Sequence, residues 1–257
     1  MQIKQTVSWW CVDNRGVTTL ELLKAVKAIG FAGVELISRE HFPLVRDLGL
    51  TIASHGGHAS IGEGFNDPAG HDGLENEIHV SLELAAQYGI PNLIVFSGNR
   101  REGIDDREAA EHTAAGLSRV ARAAEDAGVT LLIELLNSRV DHIGYQCDKS
   151  AWGIEVCRMV NSPRVKLLYD IYHMQIMEGD LIRSIETNHA YFGHYHTAGV
   201  PGRRDLDGTQ EIYYPAVVRA IAHTGYEGYL GHEFMPKGEP IAAMEAAFKL
   251  CDVLIPS

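Results

Sequence analysis

Short apolar runs alternate with longer amphipathic stretches from end to end of the chain, and several of the runs stop abruptly on an acid or a histidine. Gln5 to Trp10 reads as a first strand. Thr18 or Thr19 then caps a helix with Leu20, Leu23, Ala25, Val26 and Ile29 at helical spacing, which stops at Gly30. A second strand at Gly33 to Ile37 leads to a short helical piece from Glu40 to Leu48, and a third at Leu50 to Ser54 opens into a glycine-rich loop, His55 to Gly73. Loops of that length inside compact folds tend to be functional. Leu74 to Tyr88 is an amphipathic helix, Asn92 to Phe96 a fourth strand, and Asp105 or Asp106 caps a long helix through Ala127. Val129 to Leu136 is the fifth strand, and Asp148 to Val160 the helix that follows.

The sixth strand begins at Lys166 and ends in Tyr-Asp170-Ile-Tyr-His173; a polar helix, Gly179 to His189, follows. Tyr191 to His196 is the seventh strand, with a Gly-, Arg- and Asp-rich loop at 199–210 behind it. Tyr213 to Thr224 reads as a helix, Gly228 to Phe234 as the eighth strand, and Pro240 to Leu254 as a closing helix. Roughly eight strands alternating with roughly eight helices predict an α/β fold, a single (β/α)8 barrel spanning residues 1–257 as one domain, since about 250 residues is typical for that architecture. A doubly wound open sheet is the weaker alternative, because no GxGxxG opens a helix after the first strand.

In such a barrel the C-terminal ends of the strands converge on one face, so chemistry is sought there. Glu134, Asp170, His196 and Glu233 close strands five to eight, one each. Three carboxylates and one imidazole make a hard, oxygen-rich set that suits Mn²⁺ or Mg²⁺, with Co²⁺ as a substitute, better than a structural zinc. Singly, each of the four reads equally well as a salt-bridge partner or helix cap. His173 is placed to face the same end, as a support for a ligand or a substrate donor, with a bond to a neighbouring carbonyl as the equal alternative, and His55 at the end of the third strand could touch substrate. His194 is expected on the other side of its strand from His196, as a packing histidine, and His58 in a loop. Trp9, Trp10, Phe96 and Trp152 are candidates for a pocket wall, with core packing as the competing role. Arg203 and Arg204, in the loop after strand seven, could clamp a substrate carboxylate or hydroxyl, or simply lie solvated beside Asp205 and Asp207.

A formal net charge of −12 argues against a surface that neutralises a phosphate backbone. Four cysteines with no CxxC pair exclude a disulfide framework and point to buried or reduced thiols. Neither a leader pattern nor an apolar run of membrane-spanning length is present, so the expectation is a soluble, cytoplasmic protein whose partner is a small molecule, with no nucleic acid and no membrane. Ala- and Met-bearing helix surfaces leave room for a homo-oligomer.

Ile133-Glu-Leu-Leu-Asn137, Tyr169-Asp-Ile-Tyr-His-Met-Gln-Ile-Met-Glu-Gly179, Gly193-His-Tyr-His196, Gly208-Thr-Gln-Glu-Ile-Tyr-Tyr214 and Gly231-His-Glu-Phe-Met-Pro236 resemble the xylose-isomerase-like barrels, within them the hydroxypyruvate isomerase group, with the D-tagatose 3-epimerases as neighbours. The resemblance implies a divalent metal on Glu134, Asp170, His196 and Glu233. It makes Glu134 and Glu233 proton-transfer groups, His173 a substrate contact, and gives Arg203 or Arg204 the place of a substrate-binding arginine. No organic cofactor is implied. The implied reaction is isomerisation of an α-hydroxy carbonyl compound through an enediolate, hydroxypyruvate to tartronate semialdehyde foremost, with C3 epimerisation of a ketose as the alternative. Some isomerases of the group carry glutamine where this chain has His196, which makes its ligand set more like that of the epimerases. Asn137-Ser-Arg-Val-Asp-His142 is a residue out of step with the acid that epimerases use on sugar hydroxyls, which leaves the substrate open. A phosphodiesterase of the endonuclease IV type would need several more histidines, one of them after strand four, where this chain has Phe96-Ser-Gly98. A barrel without catalysis is the remaining alternative, against which Glu134 and Glu233 stand intact.

Overall fold

A computed structural model describes residues 3–13 and 16–253, so part of the turn after the first strand and the last residue of the expected closing helix lie outside the described residues. The strands are β1 (Lys4–Ser8), β2 (Gly33–Glu35), β3 (Thr51–Gly56), β4 (Asn92–Val95), β5 (Thr130–Glu134), β6 (Val165–Asp170), β7 (Phe192–Thr197) and β8 (Tyr229–His232). They form a closed barrel in sequence order, with β8 returning parallel to β1. The helices are α1 (Trp9–Val12), α2 (Thr19–Ile29), α3 (Phe42–Asp47), α4 (His71–Tyr88), α5 (Asp106–Ala127), α6 (Ser150–Val160), α7 (Ile171–Met177), α8 (Leu181–Asn188), α9 (Tyr214–His223) and α10 (Pro240–Cys251). No described helix is long and apolar enough to cross a membrane.

The strands are apolar because a parallel strand is covered on both faces. Leu131, Leu132, Ile133, Leu167 and Leu168 are fully buried, and only the last residues of β5 and β6 turn acidic. Helix starts obey local hydrogen bonding. Thr18 caps α2 in a reciprocal pair with Glu21, and Asp105 accepts from the backbone of Arg107 and Glu108 at the start of α5. Helix α5 turns an Ala-rich face inward, with Ala110, Ala114, Leu117, Val120 and Ala124 buried, and small residues there let it lie close against α4 and α6.

Several elements depart from the sequence pattern: the first strand stops at Ser8, so Trp9 and Trp10 open α1 instead of ending it, and α7 follows β6 directly where no helix was expected. Helix α4 begins at His71, three residues before Leu74, because Asp67 caps a 3-10 turn at Pro68–Gly70 that runs straight into it. Strand β2 ends at Glu35 rather than Ile37, because Leu36 takes a left-handed backbone (φ 52°) that breaks the strand directly after the acid.

The chain divides into two compact units. Unit 1 comprises the chain up to Ala53, Asp180–His189, and the chain from His194; it holds β1, β2, most of β7 and β8. Unit 2 comprises Ser54–Gly179 and Ala190–Gly193 and holds β4, β5 and β6.

Candidate functional site

In unit 1 the ends of four strands gather polar side chains that are almost wholly buried. Parallel pairing sets His196 opposite Gly231, and β8 continues past His232 into Glu233, whose N–H donates to the Thr197 carbonyl at 2.9 Å. His196 Nδ1 lies 3.0 Å from Glu233 Oε2, and its Nε2 lies 3.1 Å from Glu35 Oε2. The Trp10 indole N–H donates to Glu233 Oε1 at 2.9 Å, and Arg203 Nη2 donates to Oε2. The Arg203 guanidinium also sits 5.4 Å above the Trp10 ring, a cation–π contact that holds it over the acid. Burial alone would push the Glu233 carboxyl up. The positive neighbours His196 and Arg203, with hydrogen bonds from His196 and Trp10, reverse that and hold it far below the usual carboxylate range.

Glu35 was not recognised in the sequence. Its side chain has no exposure, its Oε2 meets both His194 Nε2 at 2.9 Å and His196 Nε2, and Thr6 Oγ1 donates to its Oε1. Burial works against its charge, but the two histidines prevail and its pKa falls well below the ordinary value. The signal was present as an acid closing an apolar run, hidden because the run seemed to continue through Leu36 and Ile37. His194 corrects a second expectation. Residues two apart in a strand point to the same side, so His194 and His196 share Glu35. His232, which does point away from them, is buried between Thr197 and the Gln5 side chain, and burial depresses its pKa to about 3.

In unit 2, Glu134 and Asp170 end β5 and β6 and are both buried. Asp170 also caps α7, accepting the His173 N–H at 3.2 Å. His173 therefore lies in the first turn of a helix, fully buried. Its Nδ1 accepts from the Asn137 backbone at 3.1 Å and lies 2.6 Å from the Asn137 amide nitrogen, while its Nε2 lies 3.6 Å from Asp170 Oδ2. Asp141, in the exposed loop before α6, accepts from Asn137 Nδ2 at 2.6 Å and from the Tyr172 hydroxyl at 2.8 Å. His55 lies half-buried within β3. His58 lies in the loop after β3, as expected, and is buried: its Nε2 accepts the Phe96 N–H at 2.9 Å, and burial lowers its pKa to about 4.

Arg203 and Arg204 separate. Arg203, with left-handed backbone (φ 55°), turns onto Glu233, while Arg204 is exposed and offers only its carbonyl, to the Gly199 N–H. Of the four aromatic residues, Trp10 touches a candidate ligand. Trp9 is core, Phe96 packs edge-on against His58, and Trp152 donates to the Asp106 carbonyl. All four cysteines are buried thiols, and burial raises those of Cys147, Cys157 and Cys251.

Acidic and histidine side chains that could hold a metal ion therefore occur among the described residues in two sets that share His196: Glu35 with His194 and His196, and the strand-end residues Glu134, Asp170, His196 and Glu233.

Known proteins resemble this chain along much of its length. The 2-oxo-tetronate isomerase of Cupriavidus necator is 32% identical over 164 residues, 64% of this chain and 62% of the relative, so the match spans less than two thirds of either. A Xenopus laevis protein provisionally named hydroxypyruvate isomerase is 26% identical over 252 residues, 90% of each chain. The crystal structure of AP endonuclease, family 2, from Brucella melitensis shares the fold, with a TM-score of 0.83 at 24% identity, over 94% of this chain and 97% of that one. The family model for xylose isomerase-like TIM barrels matches residues 23–252, and the chain belongs to that family.

Proposed function

We propose that the protein is a divalent-metal-dependent isomerase of a small 2-oxo acid with a hydroxyl on the adjacent carbon, hydroxypyruvate foremost, yielding tartronate semialdehyde. The observation that carries the reading is the strand-end set: one ligand atom each from Glu134, Asp170, His196 and Glu233, all within 4.8 Å of one another. Three carboxylates with one imidazole fit Mn²⁺ or Mg²⁺, and such an ion, when bound, supplies a positive centre for the oxygens of an α-hydroxy carbonyl. The names of the relatives, 2-oxo-tetronate isomerase and hydroxypyruvate isomerase, agree on a 2-oxo acid. A cytoplasmic location and a small-molecule partner belong to the same reading.

The chain's own residues would move the protons. Glu233, held ionised by Arg203 and His196, accepts the proton from the hydroxyl-bearing carbon, and Glu134 returns one to the neighbouring carbon while the hydroxyl proton passes to the former carbonyl oxygen. Arg203 keeps the charge on Glu233 and, at the rim, offers its remaining N–H groups to the substrate carboxylate. His173, with Nδ1 occupied by Asn137, presents Nε2–H as a donor to a substrate oxygen. His55 would contact the substrate from β3, and the exposed Arg204 from the loop after β7.

The experiment is an NMR assay in D₂O with Mn²⁺ used at catalytic level, offering hydroxypyruvate, a four-carbon 2-oxo acid with a 3-hydroxyl, and free ketoses. Product carrying solvent deuterium at the reacting carbon from either acid is the expected result. Turnover of ketoses alone would replace the proposal with 3-epimerisation, and no turnover of any of them would remove it.

A further inference from the structure

Glu35, outside the proposed ligand set, is a fully buried carboxylate in contact with one of its members. A carboxylate can only accept hydrogen bonds, so the 3.1 Å contact to His196 Nε2 and the 2.9 Å contact to His194 Nε2 each place a proton on the histidine nitrogen. Nδ1 of His196 faces Glu233 Oε2 at 3.0 Å and by the same rule carries a proton in the metal-free protein; because Glu233 is itself a proposed ligand, that is the proton a metal would displace, while Nε2 keeps its own on Glu35. Thr6 Oγ1 fixes the other Glu35 oxygen, so the carboxylate cannot rotate away. The neighbouring strand makes room for the bridge. A Cβ added at Gly231 would collide with Glu35 Oε1 and come within 2.8 Å of His196 Cδ2, so only glycine fits opposite His196 at this register.

We propose that Glu35 is a positioning residue that fixes the tautomer and orientation of His196, so that Nδ1 is the metal-ligating atom. The inference rests on the metal-site reading above. Buried carboxylates that hold a ligating histidine through its other nitrogen typically contribute about 10–100-fold in metal affinity.

The test uses the full chain freed of metal. Mn²⁺ titrations followed by calorimetry and electron paramagnetic resonance compare wild type with Glu35→Gln and Gly231→Ala, the second of which crowds the bridge between Glu35 and His196 from β8 without replacing any proposed ligand. Long-range ¹⁵N NMR of the histidine rings in the wild type with Mg²⁺ reads the tautomer without any substitution. The expected result is one Mn²⁺ per wild-type chain, weakened about 10–100-fold in both variants, and protonated Nε2 with ligated Nδ1 at His196. Wild-type affinity in Glu35→Gln, or protonated Nδ1 at His196, would overturn the inference. So would a second Mn²⁺ lost on substituting Glu35, which would make that residue a ligand. Should wild type bind no Mn²⁺, the metal-site reading itself fails; binding that is indifferent to Glu35 removes only the positioning role. If Glu35→Gln does not fold, the wild-type NMR result decides.

Discussion

The two units prepare their candidate ligands differently. In unit 1, His196 and Glu233 sit in a polar circuit with the fully buried Glu35 and His194, covered on the Glu233 side by Arg203 and the exposed Trp10, with positive charge supplied. In unit 2, Glu134 and Asp170 lie at the ends of plain apolar strands, and the polar chain beside them runs through His173, Asn137 and Tyr172 to the exposed Asp141. A circuit locked by buried hydrogen bonds costs no reorganisation when charge must be met, whereas a chain ending at the surface can adapt to what arrives. Unit 1 thus has the character of a fixed electrostatic frame and unit 2 that of an adjustable wall.

The strongest way to break this contrast is to neutralise one acid in each unit. Glu233→Gln and Glu134→Gln should each lower kcat by at least about 10²–10⁴-fold, measured by deuterium incorporation. Their stabilities should differ. Glu233→Gln leaves the Arg203 guanidinium facing a neutral amide, a loss on the order of 3 kcal/mol, or roughly 10 °C in Tm by calorimetry. Glu134→Gln should shift Tm much less, and equal shifts would erase the distinction.

Metal loading gives the next effect. A chain saturated with Mn²⁺ at about 100 times its Kd should gain about 2.7 kcal/mol over the chelated form in urea unfolding. The gain should vanish in Asp170→Ala, which also removes the α7 cap at a cost of about 1 kcal/mol.

Acid unfolding sharpens the comparison through a buried histidine in unit 2. His58 stays neutral in the folded protein down to about pH 4, while in the unfolded chain it takes a proton near its ordinary 6.5. Its contribution is complete above that ordinary value and is lost as pH falls from about 6.5 to 4, about 3 kcal/mol in all. His58→Gln, which can still accept the Phe96 N–H, should flatten urea-unfolding stability across that window. The same slope in variant and wild type would refute it.

Smallest are the hydrogen bonds at each site's edge. Trp10→Phe should lower kcat/KM by about tenfold, as expected for one hydrogen bond to a charged group. Tyr172→Phe, which frees Asp141 from one of its two partners, should raise KM a few-fold and leave kcat unchanged. The reverse pattern would interchange the roles assigned to the two units.

Much of the fold was legible in the sequence because period and punctuation are local. Thr18 and Asp105 announced helix starts, Gly30 and Gly128 helix ends, and the buried strands appeared as apolar runs closed by Glu134, Asp170 and His196. Glu233 was legible for the same reason, one residue past the end of β8. Tertiary structure decided the rest. Leu36 adopts a left-handed backbone that the pattern Gly33-Val-Glu-Leu-Ile37 does not reveal, and that single dihedral turns Glu35 from a mid-strand residue into a strand end. The choice of Arg203 over Arg204 as the residue on Glu233, and the meeting of Glu35 with His194 and His196 about 160 positions away, depend on strand register around a closed barrel, a long-range property that no local run of residues encodes.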